Sequence, residues 1–221
     1  MLSFNFTPGG QSYDHGDESL PQGHVKSSKS IENVSGGEES LSSEINFGDF
    51  LGEWDNTSLQ ITPGAVVCVE AEVKGDVKIA TKTIVHPCAK ILATVGPIVI
   101  GESNIIEELV IIENKSTEPL VIGKCNTFEV GATVYARAVG DNNVFETKSH
   151  VGENVIVSNG CVFGAGTRVT QPTSVVDNSV FSGDPLKHRI AGERPAAQTL
   201  QIDFLSRILP NYHHIKNPAK V

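Results

Sequence analysis

Tryptophan, methionine and tyrosine are scarce in this sequence: 221 residues hold one Trp, one Met and three Tyr. The chain is 39% hydrophobic and long enough to bury one substantial core, which is expected to be aliphatic. Long apolar runs are missing too. None approaches the roughly 20 residues that span a bilayer, and the opening Met1-Leu2-Ser3-Phe4-Asn5-Phe6-Thr7-Pro8 lacks the basic and apolar regions of a signal peptide. A soluble, intracellular chain with no membrane insertion is expected. Its four cysteines, Cys68, Cys88, Cys125 and Cys161, form no CxxC pair, so reduced thiols are expected rather than disulfides or a thiolate zinc site. In that compartment the Asn-x-Ser/Thr matches at Asn5, Asn33, Asn56 and Asn114 have no bearing on glycosylation.

Clustered basic residues are also lacking. The net charge is −9, and residues 1 to 57 hold ten Asp/Glu against Lys26 and Lys29, leaving the rest of the chain close to neutral. The largest basic cluster is Lys187-His188-Arg189, too little for a phosphate backbone, so no nucleic-acid partner is expected. No G-x-S-x-G, Walker loop or H-E-x-x-H occurs.

What is present begins with an acidic extension, residues 1–57, rich in Ser, Gly, Asn and Glu with no hydrophobic period. Such a segment cannot offset the entropy of ordering itself, and disorder is expected. Within it, Phe47-Gly48-Asp49-Phe50-Leu51-Gly52-Glu53-Trp54 sets three aromatics and a Leu among acids. That stretch reads either as a short partner-binding motif or as aromatics in a loose tail.

From Ile61 the texture changes. Apolar residues recur six apart: Ile61, Val67, Val73, Ile79, Val85, Ile91; then Ile100, Ile106, Ile112; then Ile122, Phe128, Val134; then Val139, Phe145, Val151, Val157, Phe163, Val169 and Val175. Four residues after each of these 19 ladder positions stands a residue that is never Lys, Arg, Glu or a large aromatic, such as Ala65, Ala71, Asn104, Asn126, Asn143, Val95 and Thr173. Those places are expected to be inward-turning corners. Gly follows the ladder residue at 101, 123, 140, 152 and 164, and is expected to supply backbone freedom for tight corners.

A period of six is the hexapeptide repeat of a parallel β-helix, three hexads to a triangular coil. About six coils are expected over residues 58–184, stacked at ~4.8 Å around an Ile/Val/Phe ladder. Of the two large phase breaks, the second is expected to bulge outward as the loop Glu113-Asn114-Lys115-Ser116-Thr117-Glu118-Pro119. Residues 185–216 are read as a connection and an amphipathic helix, with 217–221 a tail. Leu200, Phe204, Leu205, Ile208 and Leu209 form the helix stripe across Ala196 to Leu209, and Pro210 is expected to end it. These residues, with Tyr212, are the candidate structural or interface residues; packing along the prism and shared contact with a partner are both compatible with the stripe.

Ile61-Thr62-Pro63-Gly64-Ala65-Val66-Val67-Cys68-Val69-Glu70, Gly75-Asp76-Val77, Ile84-Val85-His86-Pro87, Gly96-Pro97-Ile98-Val99-Ile100-Gly101-Glu102 and Asn142-Asn143-Val144-Phe145-Glu146 resemble the dynactin subunit 6 family. So does Leu200-Gln201-Ile202-Asp203-Phe204-Leu205-Ser206-Arg207-Ile208-Leu209-Pro210-Asn211-Tyr212-His213-His214, which no hexad rule dictates. The resemblance covers Leu59 to about Lys216 and implies left-handed winding, against the usual crossover rule. It further implies a non-catalytic scaffold that pairs with dynactin subunit 5 and sits with dynactin subunit 4 and the actin-related pointed-end cap. Through these it would support dynein-driven transport of cargo along microtubules, in the cytoplasm and cytoskeleton and at the mitotic kinetochore. Ile215 to Val221 holds no Ser or Thr, so the C-terminal mitotic phosphorylation of some members is not carried over.

Two enzyme classes share the prism. Gly164-Ala165-Gly166-Thr167-Arg168-Val169, with Pro172 and Gly183-Asp184-Pro185, resembles the coenzyme A end of hexapeptide acetyltransferases, but the corner glycines have a structural reason of their own. Those enzymes need a histidine base, and loop 113–119 has none. His86 and His150 are the only histidines within the coils, and each lacks an orienting partner that sequence can name. The γ-class carbonic anhydrases bind zinc through a His-x4-His pair, which is absent; adjacent His213-His214 is no substitute. No catalytic residue, cofactor or metal is expected.

Overall fold

The computed structural model describes residues 59–217; the expected disorder of 1–57, the Phe47–Trp54 stretch and nearly all of the 217–221 tail lie outside the described residues. The hexads fold as a parallel β-helix with three sheets. Sheet A starts with Gln60–Ile61, sheet B with Val66–Val67 and sheet C with Glu72–Lys74, and every third strand joins the same sheet. Sheets of seven, seven and six parallel strands make six complete coils and two sides of a seventh.

All ladder residues but one are buried, Val73 being half-exposed, because a strand turns alternate side chains to opposite faces and the count of six returns the same face each time. β-branched side chains, stiff at χ1, suit the pleated walls. The interior is not aliphatic throughout. Sheet B carries Val67, Val85 and Ile106, then Phe128, Phe145, Phe163 and Phe181, whose rings stack with centroids 4.6, 5.0 and 5.2 Å apart. The coil spacing matches ring stacking, so Phe supplies the aromatic core that the shortage of Trp and Tyr seemed to exclude.

The corner rule holds in the regular hexads except the one before Val175, where Thr173 is exposed, and it fails at the breaks. Val95 is 58% exposed, and the inward place in its coil belongs to Ile98; one coil on, Leu120 fills it in place of Ser116. Strand alternation fixes an inward residue two before the next ladder position, so inserted residues displace a forward count of four. At the single shortened hexad the backward count fails as well: Ala136, three before Val139, points in, and Arg137, two before it, points out.

The glycines expected to bend the corners act differently. Apart from Gly75 and Gly183, positive φ falls on the third residue after ladder positions of sheets A and B: Gly64, Lys82, Ser103, Cys125, Asn142, Gly160 and Asn178, then Cys88, Leu109, Gly131, Lys148 and Gly166. None of Gly101, Gly123, Gly140, Gly152 or Gly164 is among them. At Gly123 a Cβ would sit 2.7 Å from the Gly140 carbonyl oxygen, so that glycine serves close stacking of coils rather than backbone freedom.

Polar corners stack as well. Asn104 Oδ1 accepts the Asn126 amide at 2.9 Å, Asn126 Oδ1 accepts the Asn143 amide at 2.9 Å, and Asn143 Oδ1 accepts the Cys161 amide at 2.7 Å. These buried side chains supply acceptors for amides at corners that no strand partner serves.

Beyond the last coil, residues 187–190 form a strand that the sequence pattern did not signal. Lys187–Ile190 runs antiparallel to Ser179–Ser182, and the His188 ring stacks on Phe181 at 4.6 Å, closing the aromatic column. The chain then returns as α1, Thr199–Tyr212.

Candidate functional site

The stripe on α1 divides in two. Ile202 and Leu209 are buried and Leu205 partly so, packed on Val66, Cys68, Ile84 and Ile105 of sheet B's outer face. Ile202 is a contact residue that the stripe of Leu200, Phe204, Leu205, Ile208 and Leu209 omitted; it lies three and seven residues before Leu205 and Leu209, a second register of the same helix. Leu200, Phe204 and Tyr212 face away, 85%, 60% and 77% exposed, and Ile208 is half-exposed between them. α1 therefore shows apolar surface on two sides, one spent on its own prism and one open.

Pro210 does not end the helix, which runs to Tyr212, and the His213 amide bonds to the Leu209 carbonyl. Proline removes one hydrogen bond, to the carbonyl four residues back, and its fixed φ is helical, so a last turn tolerates it. Past α1 the chain covers the open edge of the first coil. Ile215 bridges Cys68 antiparallel, the Val69 amide donates to the His214 carbonyl at 2.8 Å, and the Lys216 amide donates to the Val67 carbonyl at 2.8 Å. An exposed strand edge is a template for unwanted pairing, and this segment occupies part of it.

His86 lies near this closure. Its Nδ1 is 2.9 Å from Glu108 Oε1, the orienting partner that the sequence could not name, 22 residues away but one coil along the stack. Burial raises the Glu108 carboxyl, yet the contacts with His86 and the backbone outweigh it and hold the carboxyl below its ordinary range. Burial first, and then the neighbouring acids Glu129 and Glu108, push the adjacent Glu107 up. The arrangement has the form of a dyad, but His86 is buried and its Nε2 is enclosed without a partner among the described residues, leaving no open face for a substrate. His150 packs edge-on against Tyr135 at 5.5 Å, and burial, then Arg168 and Lys115, lower its pKa.

Of the expected loop 113–119, Glu113 belongs to the strand Ile111–Glu113 and residues 114–119 protrude, anchored by buried Asn114. Its Nδ2 donates to the Pro97 and Glu118 carbonyls and its Oδ1 accepts the Ser116 amide at 2.9 Å. Beside it lies a cleft of about 320 Å³ lined by Lys115, Tyr135, Arg137, Glu153 and Asn154. Lys115 Nζ sits 3.9 Å from the Tyr135 ring centre and 3.0 Å from Glu153. Among the described residues no three His, Cys, Asp or Glu side chains gather as a metal site, and no helix is long and apolar enough to cross a membrane. All four cysteines are free, and burial pushes the Cys68 and Cys161 thiols up to about 11, against thiolate reactivity.

No family model matches the chain. Among curated proteins it is 48% identical over 174 residues to dynactin subunit 6 of Xenopus tropicalis, covering 74% of this chain and 87% of that protein. It is 47% identical to dynactin subunit 6 of Nematostella vectensis, covering 73% of this chain and 94% of that one. Among solved structures, a hexapeptide transferase family protein from Anaplasma phagocytophilum aligns with TM-score 0.54 and 21% identity over 71% of this chain and 89% of its own, a likeness of fold alone.

Proposed function

The chain belongs to the dynactin subunit 6 family, and from that membership we propose that it is a non-catalytic structural subunit of dynactin's pointed-end complex, paired with dynactin subunit 5. The observation that carries the reading is near-half identity across almost the full length of the relatives. A working place in the cytoplasm and cytoskeleton follows, with dynactin subunit 4 and the actin-related cap as neighbours and dynein and cargo reached through the assembly.

The open side of α1 supports this role. Leu200, Phe204, Ile208 and Tyr212 recur every four residues along one line of the helix, a face whose burial needs a second protein. The buried, enclosed Nε2 of His86 offers no face for a substrate at that dyad, in keeping with a subunit that assembles.

Co-expression with dynactin subunit 5 tests the proposal. One complex of both chains on size exclusion at micromolar concentration is expected, whereas two separate monomers would reject the pairing. Phe204→Glu, at a 60% exposed position, is expected to weaken pairing roughly tenfold or more, the effect of losing an aromatic anchor, while the melting of the isolated chain stays unchanged.

A further inference from the structure

Every departure from the count of six falls on one edge of the prism. The ladder steps of nine, ten and five residues, Ile91 to Ile100, Ile112 to Ile122 and Val134 to Val139, all lead from sheet C to sheet A in three successive coils. Steps at the other two edges keep to six throughout. Insertions tolerated at random would scatter over all three edges. A rule broken repeatedly in one place marks a place where something besides the fold sets the sequence.

The breaks build the cleft beside loop 114–119. The first long step backs the second: Thr94 Oγ1 donates to the Asn114 carbonyl at 2.9 Å, the Val95 amide donates to the same carbonyl at 3.3 Å, and Gly96 lies too close to the Ser116 and Thr117 carbonyls for a side chain. Loop 114–119 then stands beside the shortened corner of the next coil, where Ala136 turns in and leaves Tyr135 and Arg137 outside. The corner of the following coil has its full length and carries Glu153 and Asn154. Insertion, deletion and regular corner are thus the wall, floor and second wall of the 320 Å³ cleft.

Its charges do not balance. Lys115 reaches across the shortened coil to Glu153, 3.0 Å away, and Glu153 above all, then Tyr135 and Glu113, raise the Lys115 pKa. Arg137 has no such match: it is exposed, and its guanidinium makes no hydrogen bond or ion pair among the described residues. On sheet C beside the cleft, Arg168 stands in register with His150, and burial, then Arg168 and Lys115, lower the His150 pKa, the mark of a positive field on this face. The charged lining of Lys115, Arg137 and Glu153 leaves one net positive charge, which suits a single carboxylate better than a phosphate dianion. The planar donor fork of Arg137 matches a carboxylate's two oxygens. Because Arg137, Glu153 and Asn154 are exposed, an isolated ion pair there is too weak to hold a free acid. A carboxylate carried on a chain adds peptide groups that bond to the cleft walls.

We infer that this cleft receives an Asp or Glu side chain borne on an extended segment of a partner protein, its carboxylate paired with Arg137 and its flanking peptide groups against Tyr135 and Asn154. α1 packs on sheet B, the wall opposite this edge. The contact is therefore a second one, independent of the pairing proposed above.

Titration of the nitrogen-15-labelled full chain with acetyl-Gly-Glu-Gly amide, followed by nuclear magnetic resonance, tests the inference. Saturable shifts at millimolar peptide are expected in residues 114–117, 135–137 and 153–154, the Arg137 Nε–H included. Acetyl-Gly-Gln-Gly amide, sodium acetate and sodium phosphate are each expected to bind several-fold more weakly. Arg137→Gln is expected to weaken the Glu peptide roughly tenfold or more, and Arg137→Lys, which keeps the charge without the fork, to restore only part of the loss. Thermal melting of both variants is expected to match the unaltered chain, which separates lost binding from a folding defect. Absence of saturable shifts would overturn the inference, as would equal shifts with the Gln peptide or binding indifferent to Arg137→Gln. Acetate or phosphate binding as tightly as the Glu peptide would make this a free-anion site and overturn the docking, and shifts centred on α1 would place the peptide on the pairing surface instead.

Discussion

Phe145 in the coil interior and Ile202 on α1 are both hidden from water, 0% and 4% exposed, but they depend on different neighbours. Phe145 is stacked between Phe128 and Phe163, and its strand bonds to the coils on either side. Ile202 rests on an outer wall that is complete without it. α1 has no side-chain N-cap, no acid in its first turn and no base in its last, so packing rather than capping holds it in place. The interior is thus a series of nearest-neighbour couplings, whereas α1 is a single docked unit able to open alone.

The largest test of that difference is Phe145→Ala. Removing a ring from the middle of the stack is expected to cost about 4 kcal/mol, read from denaturant unfolding of the coils in one transition. A cost below about 1 kcal/mol would mean that neighbouring rings collapse into the gap and the couplings are weaker than stacking implies.

Ile202→Ala probes the other side of the comparison. A loss of about 3 kcal/mol is expected to fall on α1, so that hydrogen exchange of α1 amides accelerates while amides of sheets A and C keep their protection. Simultaneous loss of protection in all three sheets would show that α1 is part of the cooperative coil unit and would break the distinction.

This contrast also sets how far the sequence could be read. The coils were legible because a count of six repeats one physical demand 19 times, and a single misfit such as Val73 cannot mask the pattern. Ile98 and Leu120 escaped because the insertions break the count, and alternation has to be traced back from the following strand. On α1 nothing repeats. Two helical stripes of similar apolarity, one through Ile202 and Leu209 and one through Leu200 and Phe204, are indistinguishable until sheet B chooses between them. The strand Lys187–Ile190 is exposed along its whole length and carries no buried face to give it a period. His86 and Glu108 were invisible as a pair because stacking, not sequence spacing, brings them together.

Glycine sharpens the point inside the coils. Gly123→Ala, at a position where φ is not positive, is expected to cost about 2 kcal/mol through overpacking, because the added carbon meets the Gly140 backbone at 2.7 Å. Thermal melting of the purified variant measures this loss. A neutral result would show that the coils spread apart easily and that close stacking does not constrain the ladder.

Leu109→Gly is the smallest and reverses the sign. Leu109 holds φ at 61° with its side chain 59% exposed. The left-handed conformation costs an ordinary residue about 1–2 kcal/mol, and glycine gives back about 0.5–1 kcal/mol of that by loosening the unfolded chain. The balance is a stabilisation of about 0.5 kcal/mol, read as a small rise in the denaturation midpoint with an unchanged slope. Gly131 occupies the same corner one coil on, with φ 71°. Its Cβ would meet only Lys148 Cγ, at 3.4 Å, so Gly131→Ala isolates the backbone cost and should lower the midpoint. If both substitutions moved the midpoint the same way, side-chain contacts at the corner rather than φ would govern it, and the corners of sheet B would depend on their surroundings as α1 does.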